Sequence, residues 1–313
     1  MKTPRKNYRS WIAWITLLVL LGGVPGYLSS YAVILLTNLL MYVVLTLGWA
    51  IFSGPTGYIS LASAAFFGTG VYASALLSSG LPLPLVIVIG GAASFLLALL
   101  VGALTLRLKG MYFTMFTFGL VELVRNSLHW YEVNVTGTVG RLIISADNVT
   151  IFYSMVGIFV SALLVSHLIK RSRFGLALES IGEAEEAAAH SGVNVTRVKA
   201  VTFAVSAFFM GAAGATMSMR WTYIDPTTAF NIQFSFMPVL MAIFGGTNRL
   251  YAPVAGATAF SLLEELLTTK FPYYYMLIFG LIMFAVIRFM PHGLEGAIEK
   301  WRKSVETGSA VKT

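Results

Sequence analysis

Apolar runs of membrane-spanning length, broken only by short polar connections, constrain this sequence more than any single motif. A helix crossing the hydrocarbon core needs roughly 20 apolar residues. About ten such runs can be marked between Trp11 and Met290: 11–28, 31–52, 58–79, 83–106, 111–130, 150–169, 199–220, 234–248, 251–269 and 273–291. With 57% hydrophobic and 11% charged residues in a chain of 313, far more apolar surface exists than a soluble core of this length can hide. The expected fold class is therefore all-α and polytopic. Residues 1–10 form an N-terminal tail, 11–292 one transmembrane domain and 293–313 a C-terminal tail.

The placement of basic residues orients these spans. Every Lys and Arg except Arg125, Arg141, Arg220 and Lys270 falls on one side if ten spans are threaded through a membrane. The positive-inside rule makes that side cytoplasmic and puts both termini there. The net charge of +8 is thus a topology signal, because the basic residues flank apolar runs instead of forming one nucleic-acid-binding patch. Met1 to Arg9 and the apolar run from Trp11 resemble the start of a secretory signal. No small-residue cleavage site follows, so an uncleaved first span is expected.

Several chemistries are excluded or left unsupported. The chain has no cysteine, which removes disulfides, thiolate catalysis and cysteine-ligated metals. His129, His167, His190 and His292 are scattered without metal-ligand spacing, so no metal site is expected. There is no phosphate-binding Gly-rich loop and no nucleophile–His–Asp signature. The chain is not expected to be an enzyme or to bind a cofactor itself.

Small residues predict how the helices pack. Ala200, Ala204, Ala207, Gly211 and Ala215 recur at three- or four-residue intervals, giving the seventh span one face for close backbone contact. Gly57, Ala62, Ala65 and Gly68 do the same in the third, where Gly54-Pro55 is expected to break regular helix at its start; Gly245-Gly246 marks a second break. Broken spans in two halves are one sign of an inverted repeat with a path at its interface.

The longest cytoplasmic connection, 170–199, is the most informative. Its centre, Glu179 to Gly192, has the signals of one short helix: Glu183, Glu185 and Glu186 in the first turn, Ala188 among the helix formers, His190 in the last turn and Gly192 after it. An Ala-rich helix this short is marginal in water, so it is expected to dock on something.

The stretches Ser172-Arg-Phe-Gly175, Glu185-Glu-Ala-Ala-Ala189, Gly192-Val-Asn194 and Arg197-Val-Lys199 resemble the coupling loop of the branched-chain amino acid permease family of ATP-driven importers. Gly57-Tyr-Ile-Ser-Leu-Ala-Ser-Ala-Ala-Phe-Phe-Gly-Thr-Gly-Val-Tyr72, Lys109-Gly-Met-Tyr-Phe-Thr114 and Glu122-Leu-Val-Arg125 are similar to further family landmarks. Phe244-Gly-Gly-Thr-Asn248, Pro253-Val-Ala-Gly-Ala257, Leu262-Leu-Glu-Glu-Leu266 and Pro291-His-Gly-Leu294 follow in family order. Ala62-Ser63 replaces the family's Gly-His, a departure that bears on substrate and not on fold.

The resemblance implies a second permease of similar fold, two cytoplasmic ATPase subunits that hold ATP and Mg, and a periplasmic solute-binding protein. It places the chain in a bacterial inner membrane and assigns Gly175, Glu183, Glu185, Glu186, Ala188, His190 and Gly192 to ATPase coupling. Leucine, isoleucine and valine are the implied cargo, with another amino acid, a short amide or urea as alternatives. A proton-coupled secondary transporter is the rival from another class; it would call for a buried proton relay.

Candidate path residues are Ser60, Ser63, Thr69, Tyr72 and Glu122. The first four either line a path or bond between packed helices. Glu122 either contacts solute or neutralises Arg125 at i, i+3. Glu264 and Glu265, in the outer half of the ninth span, either face a water-filled path or reach the outer surface.

Overall fold

The structure, a computed structural model, describes residues 29–284 except 107, 144, 248, 275, 276 and 283. The expected first span, both tails and most of the tenth span lie outside the described residues; within the tenth, residues 277–282 are helical. The long helices are α1 (Ser30–Thr56), α2 (Ser63–Leu77), α3 (Leu83–Thr105), α4 (Met111–Tyr131), α5 (Asn148–Arg171) and α8 (Val195–Met217). Between α5 and α8 lie α6 (Arg173–Glu183) and α7 (Glu185–His190). After α8 come α9 (Pro226–Ala229), α10 (Gln233–Gly245) and α11 (Ala252–Lys270). The departures from helix are slight: a π turn at Glu132–Thr136, and a two-residue antiparallel pairing of β1 (Arg141–Leu142) with β2 (Tyr223–Ile224), register Arg141 to Ile224.

Five stretches among the described residues are long and apolar enough to cross a membrane: Ser30–Thr56, Leu83–Thr105, Asn148–Arg171, Val195–Arg220 and Pro226–Gly245. The last is divided into α9 and α10 by Phe230 to Ile232. Helices α4 and α11 are also long, but they carry Glu122 with Arg125 and Glu264 with Glu265. The chain is thus a helical, multi-pass membrane protein.

Helices α1 and α8 form the centre. Helix α8 packs on α2 and α3, and α1 packs on α5, α8, α10 and α11. In lipid no hydrophobic force separates helix from tail, so association rests on close packing. The small-residue face of α8 supplies it. Ala204, Ala207, Gly211 and Ala215 are buried, and a Cβ added at Gly70 of α2 would lie 1.9 Å from Gly211 O. Any side chain there forces α2 and α8 apart.

Both expected helix breaks exist: the one at Gly245-Gly246 falls where the pair stands, and the one at Gly54-Pro55 is displaced along the sequence. Helix α1 continues through Pro55 to Thr56 and ends where Gly57 adopts φ +71°. The irregular stretch is 57–62, after Gly54-Pro55 rather than at it. It turns back into the bundle: Trp49 Nε1, about two turns inside the end of α1, donates to Ser60 O at 2.8 Å. In the second half, Gly245-Gly246 ends α10, and the irregular stretch precedes that helix. With 13 residues, α10 is about 20 Å long at 1.5 Å per residue, short of the roughly 30 Å hydrocarbon core. The first turn of α10 meets the irregular stretch before α2, since Ser235 Oγ donates to Leu61 O at 2.6 Å and accepts from Ala64 N at 3.2 Å. Ser235 therefore satisfies a backbone donor at the buried start of α2, where Ala62 provides no side-chain cap.

Candidate functional site

The connection 170–199 forms two docked helices, a correction to the single helix expected over Glu179–Gly192. Ser172 closes α5 and caps α6 by accepting from Phe174 N and Gly175 N at 3.2 and 3.4 Å. Gly175, Leu178 and Ile181 recur every three residues and are buried, so α6 lies with that face on the end of the bundle. A Cβ at Gly182 would lie 2.1 Å from Pro55 O, which brings α6 against the end of α1. Glu183 is consequently the last residue of α6. Ala184 breaks the helix at φ −158°, ψ 98°, and α7 begins at Glu185.

Three distant segments hold α7. Lys199 of α8 is 1% exposed, and its Nζ sits 3.1 Å from Glu185 Oε1 and 3.4 Å from Tyr58 Oη. The Tyr58 hydroxyl donates to the other Glu185 oxygen, and the Lys199 ammonium lies 4.4 Å from the Tyr58 ring centroid. Burial raises the Glu185 carboxyl, but hydrogen bonds from Tyr58 and Lys199 and the nearby ammonium charges outweigh it and hold the group below its ordinary value. At the rim, Glu186 pairs with Lys109 of the α3–α4 connection at 3.2 Å, both largely exposed. The other end of α7 closes on Gly192 at φ +85°. Gly192 N donates to Ala189 O and Val193 N to Ala188 O, both at 3.1 Å, the two bonds of a Schellman cap.

Structure thus brings together Gly175, Glu183, Glu185, Glu186, Ala188, His190 and Gly192 in one docked unit. Gly175 and Ala188 face the bundle, while Glu183, Glu186 and His190 are exposed. Phe174 and Leu176 are also exposed, at 47% and 65%. Sequence reasoning gave Tyr58 and Gly182 no role of their own, and it used Lys199 as a topology marker and as part of a family stretch, with no contact assigned to it. A lysine followed by an unbroken apolar run was the available signal for Lys199.

The candidate path residues are scattered. Ser60 is buried and its Oγ accepts from Ala62 N at 3.3 Å, a local turn bond. Ser63 is buried in the first turn of α2 with no hydrogen bond to its Oγ. Thr69 Oγ1 donates back to Ala65 O at 2.7 Å. Tyr72 is buried near the other end of α2 and packs on Phe230, with ring centroids 5.8 Å apart. Glu122 pairs with Arg125 and also accepts from Asn126 Nδ2 at 3.4 Å. Glu132, which sequence reasoning did not single out, is 2% exposed, accepts from Gly140 N at 2.9 Å and lies 3.8 Å from Arg141 Nε. Among the described residues no group of three His, Asp or Glu side chains is placed to hold a metal.

A family model described as the permease component of branched-chain amino acid transport systems matches residues 31–287. Two relatives are high-affinity branched-chain amino acid transport system permease proteins LivM, from Salmonella typhimurium and Escherichia coli. Each is 28% identical to this chain across 90% of its length and 73% of theirs. The fructose import permease protein FrcC of Rhizobium meliloti is 26% identical across 72% of this chain and 65% of its own. No solved structure matches. With its family match running from the start of α1 past α11, this chain belongs to the branched-chain amino acid transport permease family.

Proposed function

We propose that this chain is the membrane permease of a binding-protein-dependent, ATP-driven importer in a bacterial inner membrane, with branched-chain amino acids as its cargo. The observation that carries this reading is the pair α6–α7, docked inward through Leu178, Ile181 and the Glu185–Lys199–Tyr58 contacts, while Phe174, Leu176, Glu183, Glu186 and His190 are exposed. A lever between a soluble ATPase and a transport gate needs both faces: one fixed to the gate helices and one open to a partner. It also needs different contacts in different states, because energy moves an equilibrium only through differential interaction. Helix α6 touches the end of α1 at Pro55, and α7 touches the start of α8 at Lys199, so movement of the pair acts on both central helices.

In this reading the α6–α7 end is cytoplasmic, two ATPase subunits bind there with ATP and Mg, and a second permease completes the path. A solute-binding protein delivers cargo at the opposite end. The LivM relatives favour leucine, isoleucine and valine; the fructose-permease relative makes a sugar the cargo to exclude. The test is uptake into proteoliposomes holding this chain with its genomic-neighbour ATPases, partner permease and binding protein. Labelled leucine, fructose, a short amide and urea are offered in parallel. ATP-dependent leucine uptake is expected. Fructose, amide or urea uptake changes the cargo, and uptake without ATP or binding protein overturns the importer.

A further inference from the structure

At the end of the bundle opposite α6–α7, a cavity of about 380 Å³ opens between α1, α8, α10 and α11. That volume falls within the roughly 300–1,000 Å³ of small-molecule sites. It reaches inward to Tyr42, halfway along α1, and to Phe234 at the buried start of α10, whose rings lie 6.5 Å apart. Its walls carry charges of opposite sign. Arg220 follows α8, and Glu264 comes from α11. The Arg220 guanidinium donates to Asn38 Oδ1 at 2.6 Å, leaving further donors uncommitted, since a guanidinium carries five N–H groups. Among the described residues, no carboxylate lies within ion-pair distance of Arg220, and no cation within that distance of Glu264. The neighbouring Glu265 is engaged by the Tyr31 hydroxyl.

An arginine and a carboxylate that share a membrane cavity without pairing leave both charges to be satisfied by something between them. Charges inside a membrane protein are costly and tend to mark substrate paths. Leucine, methionine and aromatic side chains, among them Tyr42, Trp221 and Phe234, make up the apolar part of the lining, and Ser261, Glu265 and Thr268 of α11 add polar groups beside Glu264. None of Ser60, Ser63, Thr69, Tyr72 or Glu122 lines it.

The geometry points to a binding site for a zwitterionic α-amino acid with an apolar side chain, its carboxylate on Arg220 and Asn38, its ammonium on Glu264, and its side chain against Tyr42, Trp221 and Phe234. This rests on the transport reading above and gives it a place within this chain. The floor at Phe234 adjoins Ser235, where the first turn of α10 is bonded to the irregular stretch before α2, so a solute in this cavity sits beside that crossing.

The chain has no cysteine, so a reporter thiol has no background within it. Thr268, exposed at the cavity mouth, is replaced by Cys, and the full importer complex is reconstituted without binding protein. Modification of that thiol by a cationic methanethiosulfonate is followed on this chain. L-Leucine is expected to slow it, whereas 4-methylpentanoate, which lacks the ammonium, and 3-methylbutylamine, which lacks the carboxylate, leave it unchanged at equal concentration. Arg220→Gln and Glu264→Gln, each added to T268C, should raise the leucine concentration for half-protection at least about tenfold, the loss of one charge-assisted contact. Glu264→Asp should restore part of it. The analogue series needs no further substitution, so it decides the matter even where a variant fails to assemble. Equal protection by 3-methylbutylamine and leucine overturns the zwitterion assignment. No protection by leucine, in a complex that still takes leucine up with ATP and binding protein, overturns the site alone. Absence of uptake of any amino acid by the wild-type complex overturns the transport reading, and the site falls with it.

Discussion

The buried ammonium of Lys199, near the start of α8, lies 3.1 Å from the carboxylate of Glu185, the first residue of α7. It is the one ion pair among the described residues that ties the docked helix to a central helix. Breaking a buried pair from one side leaves an uncompensated charge. Lys199→Met should therefore loosen α7 by about 1–3 kcal/mol, below the cost for a fully buried pair because Glu185 keeps Tyr58 and some water. The expected phenotype is a complex that still hydrolyses ATP but takes up solute at least several-fold more slowly. Wild-type coupling in K199M would show that the pair carries no load between α7 and α8.

The same pair predicts a pH dependence. The Glu185 carboxyl is held below its ordinary value, so the folded state favours the charged form. Stability from this source is fully present above the unfolded value of about 4.3 and is lost as pH falls through the lower folded value. Protease protection of the 170–199 connection should hold from neutral pH to about pH 5 and fall away below about pH 4. Glu185→Gln should remove that acid transition, and loss of protection at the same pH in E185Q would assign it elsewhere.

At the far end of α7, Gly192 holds φ +85° and nothing lies within 4 Å of a Cβ placed there. The obstacle to a side chain is thus backbone conformation and not space. Gly192→Val should cost roughly 1–2 kcal/mol in the cap, and Gly192→Asn much less, because Asn tolerates the left-handed region. Uptake per ATP hydrolysed should fall in the order Gly, Asn, Val with membrane insertion unchanged. Equal coupling in all three would remove the cap from the mechanism.

Features set by local pattern were legible in the sequence. The small-residue face of α8 appeared as a three- and four-residue spacing, and Gly192 as a stop signal. Features set by chain crossings were not. Tyr58 and Lys199 stand far apart in sequence, and neither carries a local mark of meeting Glu185. The breaks show the same limit. Gly54-Pro55 and Gly245-Gly246 are the conspicuous helix-breaking pairs, yet Pro55 is accommodated in the last turn of α1, and the unwound stretches have ordinary compositions. What keeps 57–62 unwound is tertiary bonding to Trp49, Thr117 and Ser235. A helix bent at Ala184 was illegible for a related reason: its sequence is a good continuous helix, and docking on Pro55 and Lys199 outweighs that preference.

Glu122 and Arg125 make an i, i+3 pair with each side chain about a quarter to a third exposed, 30% and 27%. A pair whose task is mutual neutralisation survives exchange of its members; a carboxylate that touches solute does not. Exchanging the two residues should keep uptake within about threefold of wild type, whereas Glu122→Ala, which leaves Arg125 unpaired in a membrane helix, should lower the yield of inserted protein. Loss of uptake in the exchanged protein at normal insertion would give Glu122 a direct part in transport.

Ser235 provides the sharpest test of the crossing between the two halves. Its side chain is fully buried, and a single hydroxyl serves Leu61 O and Ala64 N, two backbone groups that the surrounding helices leave unserved. Ser235→Ala strands both in a water-poor interior, at about 1–3 kcal/mol for each unsatisfied group. In a chain of this size each kcal/mol moves the unfolding midpoint by roughly 2–4 °C, so a fall of several degrees is expected for the purified protein in detergent. Ser206→Ala is the control, because Ser206 is equally buried in α8 but donates only within its own helix, to Phe203 O at 3.0 Å. A large drop for S235A beside a small one for S206A would establish that the first turn of α10 holds the unwound stretch before α2 in place. Similar drops for both would mean that the crossing adds nothing beyond an ordinary buried hydroxyl.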